Sequence, residues 1–176
     1  MKVLLVISAL GADRPGLLKE LAQALMECGC GIADSRMTVL GGEFAAVLMV
    51  TGNWSAVAKA EGALPGLQER LGLAINAHRT EARASEAPLL PYVAEIVTVD
   101  RPGIIYRLAD FFTARGINVE DLYTSGYTSA HSATSMFSLT MTVNIPAEVH
   151  IAALRDEFMG LCEELNLDGV LEPLKR

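Results

Sequence analysis

Two four-residue stretches carry the residue types that can hold a small charged ligand, Asp13-Arg14-Pro15-Gly16 and Asp100-Arg101-Pro102-Gly103. Each follows an apolar run and precedes a segment with helical spacing. The free N–H groups in the first turn of a helix, with the positive end of its dipole, suit a carboxylate. Glycine at 16 and 103 lets a ligand approach the backbone with no Cβ in the way. Asp13 or Asp100 can accept hydrogen bonds from an ammonium group. Eighteen residues after Asp100 stands Asn118, able to donate and accept. Eighteen after Asp13 stands Gly31, which has no side chain, so only the second copy carries both polar groups. Ala33 and Asp34 offer the first copy a substitute through backbone and carboxylate. A purely structural corner fits the same residues: Asp as helix cap, Pro in the first turn, Gly for tight packing.

The two stretches belong to an internal repeat with an offset of 87 residues, which holds without a gap from 12–34 to 99–121. Eight of these 23 positions are identical, among them Leu21/Leu108, Ala22/Ala109, Gly29/Gly116 and Asp34/Asp121. Ordinary composition gives about one or two. The repeat divides the 176 residues into two small domains, 1–81 and 92–176, joined by a linker at 82–91 that contains Pro88 and Pro91.

Each domain reads as β-α-β-β-α-β. In the first, residues 2–10 form an apolar strand buried on both faces. A helix from Leu17 ends at Cys28-Gly29, and Ile32 to Leu40 and Glu43 to Thr51 make a hairpin about Gly41-Gly42. A second helix, capped by Asn53 or Ser55, runs to about Leu71 with a break or kink at Pro65-Gly66, and Leu73 to Thr80 is the last strand. In the second, Val93 to Val99, Val119 to Tyr127, Met136 to Asn144 and Gly169 to Glu172 are strands. Ile104 to Ala114 and Ala147 to Leu165 are helices. Phe44 and Phe137 open equivalent strands but lie 93 apart, so the second hairpin is six residues longer. The insertion falls within the hydroxyl-rich stretch 124–135, a solvated hairpin or a flap over a polar ligand. Ala45 to Val50 does not alternate, which predicts a first sheet covered by helices on one face and a second sheet on the other.

A split βαβ pair with two helices on one face of an antiparallel sheet is the ferredoxin-like α+β arrangement. With Asp-Arg-Pro-Gly-aliphatic at both first corners, the chain resembles the ACT domain, a ligand-sensing module of amino-acid metabolism. The motif stands as Asp13-Arg14-Pro15-Gly16-Leu17 and Asp100-Arg101-Pro102-Gly103-Ile104, and the second copy adds Gly116-Ile117-Asn118-Val119. A tandem pair with no catalytic or DNA-binding domain is similar to the glycine cleavage system transcriptional repressor family. That resemblance implies a non-enzymatic accessory regulator that responds to glycine and binds a LysR-type activator. It also implies ligand contacts at Asp100, Arg101, Pro102, Gly103, Ile104 and Asn118, with Asp13 and Gly16 in the first copy, across an interface between units. The alternative is a regulatory subunit or docking module of an amino-acid or folate-linked enzyme.

The bulk numbers agree with a soluble regulator. A net charge of −7 and a pI near 4.9 argue against direct nucleic-acid binding. Hydrophobic residues reach 51%, so some apolar surface is expected to meet another subunit, such as a second copy in a homodimer. Cys28, Cys30 and Cys162 form neither a disulfide framework nor a zinc site, as in a cytoplasmic protein. The Val3–Leu10 run is a strand rather than a signal or membrane segment, because its repeat partner is internal. No cofactor or metal is expected. His78, His131 and His150 lack a metal-ligand partner at i+4, and neither a nucleophile elbow nor a phosphate loop occurs.

Overall fold

The computed structural model describes residues 2–82, 88–129 and 133–175. The chain divides into two compact units, Met1–Ala84 and Ser85–Arg176. The first holds β1 (Val3–Ala12), α1 (Leu17–Glu27), β2 (Gly31–Leu40), β3 (Glu43–Gly52), α2 (Trp54–Leu71) and β4 (Ala74–Thr80). The second repeats the order with β5 (Leu89–Val99), α3 (Ile104–Thr113), β6 (Asn118–Thr128), β7 (Ser135–Pro146), α4 (Ile151–Glu164) and β8 (Asp168–Pro173). The sheets run β2-β3-β1-β4 and β6-β7-β5-β8 with every pairing antiparallel, the α+β arrangement expected. No helix among the described residues is long and apolar enough to cross a membrane.

Alternation along the central strands decides which face each core uses. Leu5, Ile7 and Ala9 of β1 and Phe44, Ala46, Leu48 and Val50 of β3 are buried under Leu17, Leu21 and Leu25 of α1 and Val57, Ala60, Leu64 and Leu67 of α2. The second core places Leu139, Met141, Val143 and Ile145 of β7 under Phe111, Phe112 and Phe158. At Gly169 of β8 a Cβ would lie 2.8 Å from Cys162 Sγ and 3.2 Å from Ile96 Cγ1. Gly169→Ala is therefore expected to overpack this core by about 1–3 kcal/mol, a lowered urea midpoint being the check and an unchanged one the contradiction.

Four expectations change. The outer face of the first sheet carries Val6, Val47 and Met49, but no element of that unit covers it and Val47 is 49% exposed. β1 is thus fully buried on one face, with Leu4, Val6 and Ser8 half-buried on the other, because both helices of the unit pack on the same side. α2 runs unbroken past Pro65, held by Leu64 and Leu67 buried on either side, with Asn53 Oδ1 accepting from the Ala56 N–H at 2.8 Å as its cap. α4 starts at Ile151 rather than Ala147, since His150 Nδ1 accepts from the Ala153 N–H at 3.2 Å and caps it there. β5 already pairs at Leu89 with Pro146, inside the expected linker. Pro91 is tolerated because β8 joins that side only from Tyr92. Linker residues 83–87 lie outside the described residues, as do 130–132 of the longer hairpin.

Candidate functional site

The two corners are built alike. β1 ends at Ala12, and the Asp13 N–H donates to Gly42 O at 2.9 Å, tying the corner to the hairpin. The Asp100 N–H makes the same bond to Ser135 O, also 2.9 Å, with the hairpin side displaced by 93 and the corner side by 87. The register thus places the six extra residues in the hairpin, as the phenylalanine spacing predicts. Gly16 (φ 96°) and Gly103 (φ 91°) are the helix N-caps, in the left-handed region that glycine enters without strain. Their carbonyls accept from the Glu20 and Arg107 N–H groups and open α1 and α3.

Neither helix has a side-chain cap. The capping role that a purely structural reading gives Asp13 and Asp100 is therefore not found, because glycine occupies the cap and each Asp lies three residues before it. Pro15 and Pro102 likewise precede the cap instead of sitting in the first helical turn. What remains at each corner is a set of first-turn N–H groups that no side chain serves, next to an exposed aspartate.

Around this frame the copies diverge. At the first corner Arg14 Nη1 donates to Glu20 Oε1 at 2.8 Å, and a Cβ on Gly16 would lie 3.6 Å from that oxygen. The guanidinium holds the Glu20 carboxyl below its usual range, chiefly by this hydrogen bond. An open cleft of about 300 Å³ beside it is lined by Leu17, Leu18, Met37, Val39 and Phe44 together with the corner residues. At the second corner a Cβ on Gly103 would meet nothing within 4 Å. Its cleft, about 290 Å³, is lined by Arg101, Pro102, Gly103, Ile104, Tyr106, Arg107 and Leu165. Arg107 Nη2 donates to Glu164 Oε1 at 2.8 Å.

Asn118 is not in that cleft. It is exposed at the start of β6, opposite Asn144, and its Nδ2 donates to Glu120 Oε1 at 2.9 Å. Asp100 is held beside Ser135, at the other end of β7, nine residues from Asn144. At about 3.3 Å per residue the two ends are about 30 Å apart. The fold therefore gathers Asp100, Arg101, Pro102, Gly103 and Ile104 at one corner, and Asp13 and Gly16 at the other. It places Asn118 at the far end of the sheet, as it does Gly31. Both edge strands bulge just past these positions, between Ile32 and Asp34 and between Val119 and Asp121. Asp34 is already engaged, accepting from the Ser35 N–H and from Arg36, so its carboxyl is held low.

The arginine pair at the second corner escapes a reading by identities alone. Its signal is in the sequence: at the 87-residue offset Glu20 aligns with Arg107, a reversal of charge.

Comparison with known proteins bears on the family and the fold. The ACT domain family profile matches residues 3–78. The chain is 33% identical over 165 residues, 94% of its length and 87% of the relative's, to the glycine cleavage system transcriptional repressor of Escherichia coli (strain K12), and equally to that of Shigella flexneri. A crystal structure of a candidate glycine cleavage system transcriptional repressor superposes with TM-score 0.75 at 27% identity, covering 100% of this chain and 99% of that one. A protein of unknown function from Galdieria sulphuraria, 23% identical with TM-score 0.80, covers 99% of this chain and 100% of its own, and supports the fold alone.

Proposed function

Because this chain belongs to the ACT-domain family of glycine cleavage system transcriptional repressors, we propose that it is a non-enzymatic, amino-acid-responsive repressor of that system. The observation that carries the reading is the 33% identity running through both units, 94% of this chain and 87% of the relative. The effector is a small amino acid, and glycine, the substrate of the system that the relative is named for repressing, is the one we propose. With a net charge of −7 the protein acts on a protein partner rather than on DNA. A LysR-type activator is the partner we propose.

The ligand sits at the second corner. Its carboxylate meets the first-turn N–H groups beside Gly103, and its ammonium group meets Asp100. Asn118 joins from a second chain. β6 is an edge strand, exposed over most of its length, and edge strands present unpaired N–H and C=O groups. Antiparallel pairing of two such edges sets the start of one against the end of the other, which brings Asn118 of one chain to the Asp100 corner of its partner. Asp13 and Gly16 form the other corner, to which Gly31 supplies no side chain.

Calorimetric titration of the unmodified protein with the amino acids tests the reading. Glycine is expected to bind, and Asn118→Ala to weaken it at least tenfold; no binding by any amino acid, or an unchanged Asn118→Ala isotherm, contradicts the site. Gly31 favours a second reading, a docking module that senses nothing. On that reading a partner is recovered in pull-downs to the same extent with and without glycine.

A further inference from the structure

We infer that the two corners are not two ligand sites: Arg101 and Arg107 make the second corner a receptor for an external carboxylate, whereas Glu20 supplies the first corner with a built-in one. The inference rests on the reading of the second corner as the amino-acid site and goes further by saying which side chains take the carboxylate and how many ligands a chain binds.

Three observations carry it. First, Arg14 and Arg101 are repeat equivalents, yet Arg14 holds Glu20 at 2.8 Å, while among the described residues Arg101 has no ion pair. Second, the partner position has changed sign: 20 and 107 are also equivalents, and Arg107 stands where Glu20 stood. Third, the space differs. The Arg14–Glu20 pair lies over Gly16, within 3.6–4.0 Å of where a Cβ would stand, but nothing lies within 4 Å of the same point at Gly103.

Arginine binds carboxylates in a fixed planar fork, and a charge-assisted bond of this kind is among the stronger polar contacts. In the first copy that bond is intramolecular and permanently available, so a free carboxylate has to displace Glu20 from Arg14. In the second copy two guanidinium groups line one cleft of about 290 Å³. Arg107 is already paired with Glu164, which leaves Arg101 as the open fork. Tyr106, 70% exposed, offers a further hydroxyl at the cleft wall. A glycine carboxylate is small enough for this space, and one chain takes one ligand.

The full-length chain, titrated with glycine and separately with sodium acetate, reads both corners at once when the Gly16 and Gly103 amide resonances are followed by NMR. The Gly103 amide is expected to move with either titrant and Gly16 with neither. Arg107→Glu recreates the first-copy pair and is expected to weaken the Gly103 response more than tenfold. Glu164→Gln also unties Arg107 but adds no acid to the cleft, and it is expected to leave that response in place. Glu20→Arg is expected to make Gly16 respond. Glu164 is exposed and Glu20 and Arg107 are half-buried, and urea midpoints check that the variants fold. If Gly16 of the unmodified protein responds as strongly as Gly103, or Arg107→Glu leaves the Gly103 response unchanged, the inference falls while glycine binding itself stands. If acetate moves Gly103 and glycine does not, the inference holds and the amino-acid reading falls. If neither moves it, both fall.

Discussion

Phe112→Ala is expected to destabilise the second unit by about 3–5 kcal/mol, the cost of deleting a fully buried aromatic ring and leaving a cavity. Phe112 has no exposed surface, and its ring centroid lies 5.2 Å from Phe111 and 6.0 Å from Phe158. The trio joins α3 to α4 over the sheet, and aromatic pairs at these distances add about 0.5–1.5 kcal/mol each beyond their area. Arg115 extends the cluster to the surface, 3.8 Å above the Phe111 ring and bonded to Glu157. The first unit has Leu25 at the Phe112 position and Ala24 at the Phe111 position, so the equivalent truncation, Leu25→Ala, is expected to cost less, about 2–4 kcal/mol. Urea unfolding separates the units spectroscopically. All four tyrosines lie after residue 91, and the one tryptophan, Trp54, is in α2. The tyrosine-reported transition of Phe112→Ala is expected at much lower urea than that of the unmodified protein. An unfolding free energy within about 0.5 kcal/mol of the unmodified protein's would show that the ring is not part of the supporting core.

Gly103→Val is expected to abolish glycine binding, taken as at least a hundredfold loss, where Gly16→Val leaves it unchanged. At φ 91° a branched side chain carries backbone strain of about 1–3 kcal/mol, so both substitutions are expected to lower stability comparably. Binding tells them apart. A Cβ at Gly103 enters the open space that the proposed ligand would occupy, next to the first-turn N–H groups of α3. A Cβ at Gly16 meets a corner that Arg14 and Glu20 already cover. Gly103→Ala, with less strain, keeps the result interpretable if the valine variant is poorly folded. Calorimetry on all three variants is the check, and equal losses at 16 and 103 would contradict the asymmetry of the corners.

Much of this architecture is legible in the residues. The doubled Asp-Arg-Pro-Gly fixes the period, the displacement of Phe137 from Phe44 locates the longer hairpin, and Asn53 marks the start of α2. Two expectations change for one physical reason: the break at Pro65 and the burial of β1 on both faces are judged from local sequence. Whether a helix survives a proline depends on the packing of Leu64 and Leu67. Whether a strand face is covered depends on where the helices lie. His150 as a cap is missed because imidazole is a rarer acceptor there than Asn or Ser.

The sequence by itself determined the repeat, the β-α-β-β-α-β order, the family, and the chemical difference between Asn118 and Gly31. Only the tertiary structure decided that Asp100 and Asn118, eighteen residues apart, do not meet within their unit. The chain leaves the corner along α3, travels back beside the sheet and re-enters it as β6 at the opposite end, so short separation in sequence becomes the full length of a strand in space. The same folding brings Glu20 one helical turn back onto Arg14 and sets Arg107 in the matching place beside Arg101, and there a reversal of charge at one repeat position becomes a difference between a filled corner and an open one.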